Sequence, residues 1–408
     1  MTTTSFPKHK IKVLLLEGVH PQSVRRFEDE GFSVEALKGA LDEKELARAI
    51  REVHILGIRS KTQITEAAIN KANRLLAVGA FCIGTNQIDL DAAKVRGIPV
   101  FNAPYSNTRS VAELVMTYIG MLFRGLYGKI KGAHAGEWSK DTTGSVEVRG
   151  KTIGIVGYGH IGQQVSVLAE AFGMRVLYFD VADKLSMGNA TRVTDLRDLM
   201  ERSDVVTLHV PGTRDTEGMI GQKQIGWMRK GAFLLNASRG SVVDIDALAA
   251  ALDAGKVGGA ALDVFPVEPK SKDEKFQSPL QGRDNVILTP HIGGATEEAQ
   301  RNIGLEVAGK LIRFTNNGST EGAVNFPNEV LPEMRDGHRI LHIHQNVPGV
   351  LQKVNTMFGE AGINVAGQYL RTYEDVGYLI MDTDKSATRA MIKQLAEMPE
   401  TIKVRALF

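Results

Sequence analysis

The sequence predicts an α/β protein of two successive doubly wound parallel sheets, followed by a small β-α-β-β-α-β unit. Three observations predict it. Short apolar runs bounded by turn residues alternate with helix-patterned stretches along most of the chain, as parallel sheets covered by helices on both faces require. Near the middle, "GIVGYGHIG" at 154–162 places a glycine turn between a strand pattern and a helix pattern. From 338 onward the order changes to strand, helix, two strands, helix, strand, a ferredoxin-like plan.

Bulk properties narrow the function. With 408 residues and 43% hydrophobic content, the chain can bury the cores of two or three domains. A net charge of +2 gives no electrostatic case for nucleic acid or a membrane surface. The single cysteine, Cys82, excludes an internal disulfide and fits a reducing, cytoplasmic compartment; its plain role is that of a small apolar residue. The start, "MTTTSFPKHK", has no apolar segment after its charges, so no signal peptide is expected. No apolar run reaches the roughly 18 residues of a spanning helix, and the ten histidines include no HExxH, so no metal site is expected.

Taken in order, "KIKVLLLEG", "HILGIRS", "LLAVGAF" and "PVFNAP" are the strands of a first α/β domain. "NTRSVAELVMTYIGMLFRGL" is a long helix opened by Ser110-x-x-Glu113 as a capping box, and it crosses into a second domain. There, the strand ending at Val156 runs into Gly157-x-Gly159-x-x-Gly162 and the helix "QQVSVLAEAFG". In this Rossmann-type turn Gly157 makes the bend, Gly159 admits a pyrophosphate to the backbone, and Gly162 lets helix and strand pack. The helix N-terminus favours the phosphates. "MRVLYFD" then ends on Asp180, about 20 residues on, where a carboxylate holds both ribose hydroxyls and repels a 2′-phosphate, selecting NAD over NADP. The plainer alternative is an ordinary aspartate at a strand end.

"DVVTLHVP", "AFLLNASRG", "GGAALDVF" and "NVILTPH" complete the second sheet, and Asp204, His209, Arg239, Asp263 and His291 are expected at its ligand-binding carboxyl edge. Gly293-Gly294 reads as a flexible joint before the long helix "EEAQRNIGLEVAGKLIRF", which returns the chain toward the first domain. "NGSTEGAVNFPNEVLPEMRDGH" is a linker.

Hydride transfer from an alcohol to nicotinamide needs a base, a group to hold the base and a cation for a substrate carboxylate. His291, Glu268 and Arg239 supply these types at or just after strand ends. A carboxylate beside His291 would raise its pKa, and a guanidinium fork would grip a carboxylate. A histidine after a proline also serves as a cap, and Glu268 lies in the polar loop "VEPKSKDEK".

"NASRGSVVD", "ALDVFPVEP" and "TPHIGGAT" resemble the signature segments of the D-isomer-specific 2-hydroxyacid dehydrogenases. "FCIGTNQIDLDAAKVRGIPVFNAPYSNTRSVAEL" and the C-terminal unit are similar to the bacterial branch that ends in an ACT domain, and the likeness covers essentially the whole chain. Formate dehydrogenases of the family carry Gln where Glu268 stands. The resemblance implies that the NAD domain is inserted in the substrate domain: 1–104 with 295–330 binds substrate, 105–294 binds NAD, and 336–408 is a regulatory ACT domain. It implies catalysis between the two lobes by Arg239, Glu268 and His291. Implied NAD contacts are Gly157, Gly159, His160, Ile161, Gly162, Asp180, His209, Pro211, Ala237, Ser238, Arg239, Asp263, His291, Gly293 and Gly294.

The implied activity is oxidation of 3-phospho-D-glycerate to 3-phosphohydroxypyruvate, the first step of L-serine biosynthesis. Arg59, Ser60 and Lys61 are the implied phosphate grip, with Lys38 and Lys140 as further candidates acting across a subunit boundary. The N–H groups of Val78 and Gly79 and the amide of Asn107 are candidates for the substrate carboxylate. In the ACT domain His344, Asn346 and Asn364 match positions that bind L-serine as a feedback effector, although Asn346 is also placed to cap a helix. Paired NAD and ACT domains imply a homotetramer. Two departures stand out: Asp336-Gly337 replaces a Gly-Gly pair, and Lys61 replaces an arginine. The alternatives are a reductase of other 2-keto acids, such as 2-oxoglutarate, and an NAD-sensing binding protein.

Overall fold

The computed structural model describes residues 6–269, 273–333, 338–384, 387 and 389–407; Asp336-Gly337 lies outside them. By internal packing the chain divides into two compact units, one from Met1–Ser106 with Gln300–Phe408, the other Asn107–Ala299.

The first unit opens with β1 (Lys12–Leu15), α1 (Pro21–Asp29), β2 (Ser33–Ala36), α2 (Glu43–Ala49), β3 (Ile55–Ile58), α3 (Glu66–Ile69), β4 (Ala77–Ala80), α4 (Leu90–Val95) and β5 (Val100–Phe101). The strands form a parallel sheet in the order β2-β1-β3-β4-β5. β3 and β4 are buried at every position, which is why they read as unbroken apolar runs. β2 escaped sequence reading because it is an edge strand with mainly exposed side chains.

The second unit contains α5 (Thr108–Arg124), α6 (Leu126–His134), β6 (Thr152–Val156), α7 (His160–Ala171), β7 (Arg175–Phe179), β8 (Thr191–Arg192), α8 (Leu196–Arg202), β9 (Val205–Leu208), α9 (Gln222–Trp227), β10 (Ala232–Asn236), α10 (Ile245–Asp253), β11 (Val257–Leu262) and β12 (Val286–Leu288). Its strands run parallel in the order β12-β11-β10-β9-β6-β7-β8. The order reverses between β6 and β9, the switch point at which doubly wound sheets bind ligands. The glycine turn leaves β6 at that point.

Three local expectations are corrected here. α5 begins one turn earlier than a Ser110 cap allows; Ser110 lies inside the helix and its hydroxyl bonds Thr296 at 2.7 Å, while Glu113 pairs with Arg109. Asp204 sits at the amino edge of β9, where it accepts the Thr152 N–H at 2.8 Å and pairs with Arg229, so it belongs to the sheet's opposite end. Gly293 is no loose joint: its N–H is bonded to Asp263, and a side chain at Gly294 would strike Asn107.

α11 (Glu297–Asn317) leads to β13 (His338–Gln345), α12 (Val350–Glu360), β14 (Val365–Tyr373), β15 (Val376–Thr383), α13 (Arg389–Glu397) and β16 (Thr401–Leu407). These strands form an antiparallel sheet in the order β14-β15-β13-β16. One face, through Ile340, Leu379 and Met381, packs on α12 and α13. The other face, through Leu341, Ile343 and Tyr378, shares a core with Phe314 and Leu311 of α11 and Phe27 of α1. The C-terminal domain is therefore sealed against the first sheet's unit.

Polar anchors sharpen that seal at the end of α11, whose last carbonyls have no intrahelical donor. Tyr378 donates to Gly318 O at 2.7 Å, Arg405 to Thr315 O at 2.9 Å and Arg339 to Asn317 O at 3.0 Å. Arg339 is 2% exposed and also forms a two-pronged pair with Asp382. Replacing Arg339 with Ala should strand these acceptors and cost about 3–5 kcal/mol. The measurement is hydrogen exchange at β13 and the end of α11, and unchanged protection there would contradict it.

Candidate active site

β10 ends in "NASRG", and Asn236 organises that end. Its Oδ1 accepts the Ser238 N–H at 3.0 Å and the Ser238 hydroxyl at 2.8 Å, while its Nδ2 donates to Arg239 O at 2.9 Å. Gly240 follows, with no room for a Cβ, since one would fall 2.0 Å from the Phe265 carbonyl carbon. That close approach brings Arg239 beside the loop that carries Glu268. Arg239 acts electrostatically on both Glu268 and His291.

Glu268 folds back on its own loop, its Oε1 accepting the Phe265 N–H at 3.1 Å. Its Oε2 lies 2.9 Å from His291 Nδ1. The hydrogen bond to Glu268 raises the His291 pKa above its ordinary value, outweighing partial burial, with further help from the Glu268 and Asp263 charges. Partial burial pushes the Glu268 carboxyl up, but the His291 and Phe265 hydrogen bonds win and leave it lowered. The result is an ionised carboxylate holding Nδ1 and leaving Nε2 for a substrate. A cavity of about 500 Å³, walled by Phe265, Phe276, Leu280 and Val286, has the pair on its rim.

His291 adopts φ 55°, the left-handed region that costs a non-glycine residue on the order of 1–3 kcal/mol. Its surroundings enforce this. The Asp263 carboxylate, 2% exposed, accepts the Ile292 N–H at 2.8 Å, the Gly293 N–H at 2.7 Å and the Thr289 hydroxyl at 2.5 Å. Tyr118 on α5 touches Thr289 in turn. Sequence reasoning missed Thr289 and Tyr118 because nothing in a helix or strand pattern marks a hydroxyl as part of a relay.

The glycine turn fits a dinucleotide. Gly157 has φ 91°, and a Cβ there would lie 2.7 Å from His209 O, so only glycine makes this bend. Gly159 caps α7 without a side chain, and a Cβ added to it would meet nothing within 4 Å, an open cradle in front of the helix N-terminus. His160, Ile161 and Gly162 form the first turn of α7. Asp180 follows β7 and accepts the Tyr158 N–H at 2.7 Å and the Ala182 N–H at 2.8 Å, which aims its carboxylate across the turn. His209, just after β9, is partly buried; burial of the ring pushes its imidazole down to about 3, and its Nδ1 has no partner. Pro211 and Ala237 lie in the loops after β9 and β10, at the same edge of the sheet.

In the first unit, the buried Glu17 carboxylate sets the loop after β3, accepting the Lys61 N–H at 3.0 Å and the Thr62 N–H at 2.8 Å. Arg59 Nη1 reaches Glu17 O at 3.5 Å, and Ser60 and Lys61 are exposed. Glu17 and Gly18 N–H groups donate to Gly39 O and Leu37 O, which brings Lys38 to the same carboxyl edge as Arg59 and Lys61. Lys140 is on an exposed segment of the other unit. Val78 and Gly79 are corrected: they lie inside β4, where Val78 N–H donates to Pro99 O at 3.0 Å and Gly79 pairs with Gly57, so the ladder consumes these groups. Asn107 is buried at the start of α5 and its Oδ1 has no partner.

In the C-terminal domain His344 is 4% exposed, bonds Gln345 O through Nδ1 and has an unpartnered Nε2. Asn346 is no helix cap, since Gly349 caps α12. Instead its N–H donates to Asp375 O at 2.8 Å and its Nδ2 to Glu374 O at 3.1 Å. Asn364 bonds Asp384 at the other end of the sheet, so one chain separates it from His344 by roughly the 25 Å length of β13.

A model of the D-isomer specific 2-hydroxyacid dehydrogenase NAD-binding domain matches residues 116–293, and an AHAS small subunit-like ACT domain model matches 340–403. A curated relative from Escherichia coli K12, D-3-phosphoglycerate dehydrogenase, is 52% identical over 411 residues, covering 100% of both chains. The chain belongs to the D-isomer specific 2-hydroxyacid dehydrogenase family. A D-3-phosphoglycerate dehydrogenase from Dictyostelium discoideum is 50% identical over 406 residues, covering 100% of this chain and 99% of its own. Among solved structures, a D-lactate dehydrogenase from Aquifex aeolicus complexed with NAD and lactic acid has a TM-score of 0.64 at 30% identity, over 74% of this chain and 95% of that one. This dehydrogenase thus carries an NAD-binding domain and an ACT domain. Among the described residues no helix is long and apolar enough to cross a membrane, and no cluster of His, Cys, Asp and Glu is placed to hold a metal.

The pair makes a signed pH prediction. Glu268→Gln removes the charge that raises His291, so the His291 pKa should fall. If His291 is the acid–base group, oxidation needs neutral imidazole, and its rising acid limb in kcat/KM should move to lower pH; reduction then needs imidazolium, and its falling limb should move down too. Profiles measured in both directions check this, and limbs that stay in place would separate Glu268 from His291.

Proposed function

We propose that this chain oxidises 3-phospho-D-glycerate to 3-phosphohydroxypyruvate, the first step of L-serine biosynthesis. The His291–Glu268 pair beside Arg239 carries the proposal, together with the full-length relatives named D-3-phosphoglycerate dehydrogenase. NAD, when bound on the Gly157–Gly162 turn and Asp180, supplies the hydride-accepting nicotinamide. His291 Nε2 takes the hydroxyl proton, and Glu268 stabilises the imidazolium that forms. Arg239 pairs with the substrate carboxylate and stabilises the negative charge that develops on the neighbouring hydroxyl oxygen as its proton leaves and the carbonyl forms. Arg59 and Lys61, with Lys38, are assigned to the phosphate. Lys61 is a point charge where a fork would chelate, so the grip depends more on Arg59.

Residues 1–104 with 295–330 serve as substrate domain, 105–294 as NAD domain and 336–408 as regulatory domain in this proposal, and the enzyme works in the cytoplasm. L-serine is assigned to His344 and Asn346 of one copy and Asn364 of another, because a single chain holds these residues at opposite ends of β13; a homotetramer paired through NAD and ACT domains supplies that arrangement. The Glu374–Asp375 turn that Asn346 holds also clamps the buried Lys94 of α4, with Asp375 at 3.4 Å. A ligand competing for Asn346 would therefore loosen a contact on the first sheet's unit.

NADH formation with 3-phospho-D-glycerate tests the activity, and no turnover in either direction would remove it. Arg239→Ala should lose roughly 10²-fold or more in rate, the scale of losing a positioned donor at a developing oxyanion. L-serine should slow the wild-type enzyme. Lys94→Met should keep L-serine binding while weakening inhibition by about fivefold or more, the low end of ordinary allosteric coupling; equal inhibition in both would discard the Lys94 route.

A further inference from the structure

We propose that Tyr118 and Thr289 are positioning residues for proton transfer: a hydroxyl relay from α5 to Asp263 fixes the loop that presents His291 to Glu268. The direction of the relay follows from chemistry. An ionised carboxylate can only accept, so the Thr289 proton goes to Asp263 Oδ1 at 2.5 Å. Thr289 Oγ1 is then left as acceptor, and the Tyr118 hydroxyl donates to it at 2.5 Å. Burial pushes the Tyr118 phenol up to about 12, so it keeps its proton throughout the working range.

The relay ends where position matters. Asp263 Oδ1 also takes the Ile292 N–H and Oδ2 takes the Gly293 N–H, so one carboxylate grips both residues that follow His291. Thr289 O accepts the His291 N–H at 3.0 Å on the other side. A left-handed residue is thereby braced from both flanks. The charged groups acting on the imidazole are Glu268, Asp263 and Arg239.

The inference rests on His291 being the proton acceptor, and the test separates the two. Thr289→Val and Tyr118→Phe are measured beside His291→Ala and the conservative Thr289→Ser. Thr289→Val should lower kcat about 10- to 100-fold, the scale of a small misplacement of a catalytic group. Its His291-linked pH limb should move to lower pH as the hold on Glu268 slackens. Thr289→Ser should restore both values, and Tyr118→Phe, which leaves the Asp263 bond intact, should show a smaller loss in the same direction. If Thr289→Val and Tyr118→Phe keep kcat within twofold and the pH limb in place while His291→Ala is inactive, the relay is overturned and His291 keeps its role. Normal turnover in His291→Ala would remove the acceptor itself. Should Thr289→Val fail to fold, Tyr118→Phe still decides the matter through kcat and the pH limb.

Discussion

The buried carboxylate of Asp263 is the constraint on which the catalytic arrangement depends. It is 2% exposed, and three donors from one loop stand in for water. An ionised group in that position is tolerable only while those bonds are made, because an unpaired buried charge costs several kcal/mol. The same bonds that satisfy the charge dictate the path of the chain through 289–293. A histidine in the left-handed region is thus a consequence of solvating Asp263, and the strain at His291 is offset by contacts it does not itself make.

The ion pair at the surface of this arrangement has a different purpose. The His291 and Glu268 side chains are 53% and 37% exposed, and such pairs contribute only about 0–1 kcal/mol to stability. Their effect falls on proton affinity instead, since a charge in contact with one protonation state shifts a pKa even where it hardly stabilises the fold. In the proposed mechanism rigidity comes from Asp263 and from the Gly240–Phe265 contact, and chemistry from a pair left open to substrate. Separating the two tasks lets the acid–base group exchange protons while its backbone stays fixed.

These physical differences decide what was legible in the sequence. The sheets were, because β3, β4, β9 and β10 are buried on both faces and spell their burial as apolar runs; β2 and β8 were not, because edge strands owe their place to a neighbour. The glycine turn was legible since Gly157 answers a steric demand that no other residue meets. His291, Glu268 and Arg239 were legible by type, and by resemblance as a set, but spacing alone said nothing of their contact. Glu17, Thr289 and Tyr118 carried no pattern, since a buried hydroxyl or carboxylate looks like any other until its partner is known. Asp204 and Ser110 misled for the same reason: each has the right side chain for a strand-end ligand or a cap, but Asp204 lies a strand's length from the carboxyl edge and Ser110 one turn inside its helix.

The C-terminal domain extends this logic to regulation. Its outer sheet face is not a free surface but part of one core with α1 and α11, and its arginines and Tyr378 satisfy the carbonyls that end α11. A domain attached only by a linker would transmit a signal through linker geometry. One that supplies the hydrogen bonds of a neighbouring helix cannot move without leaving those carbonyls unpaired. Anything that shifts this domain therefore works against the C-terminal end of α11. Because the same hydrogen bonds satisfy both the domain and the end of the helix, displacing the domain leaves several carbonyls without a donor at once, each at a desolvation cost.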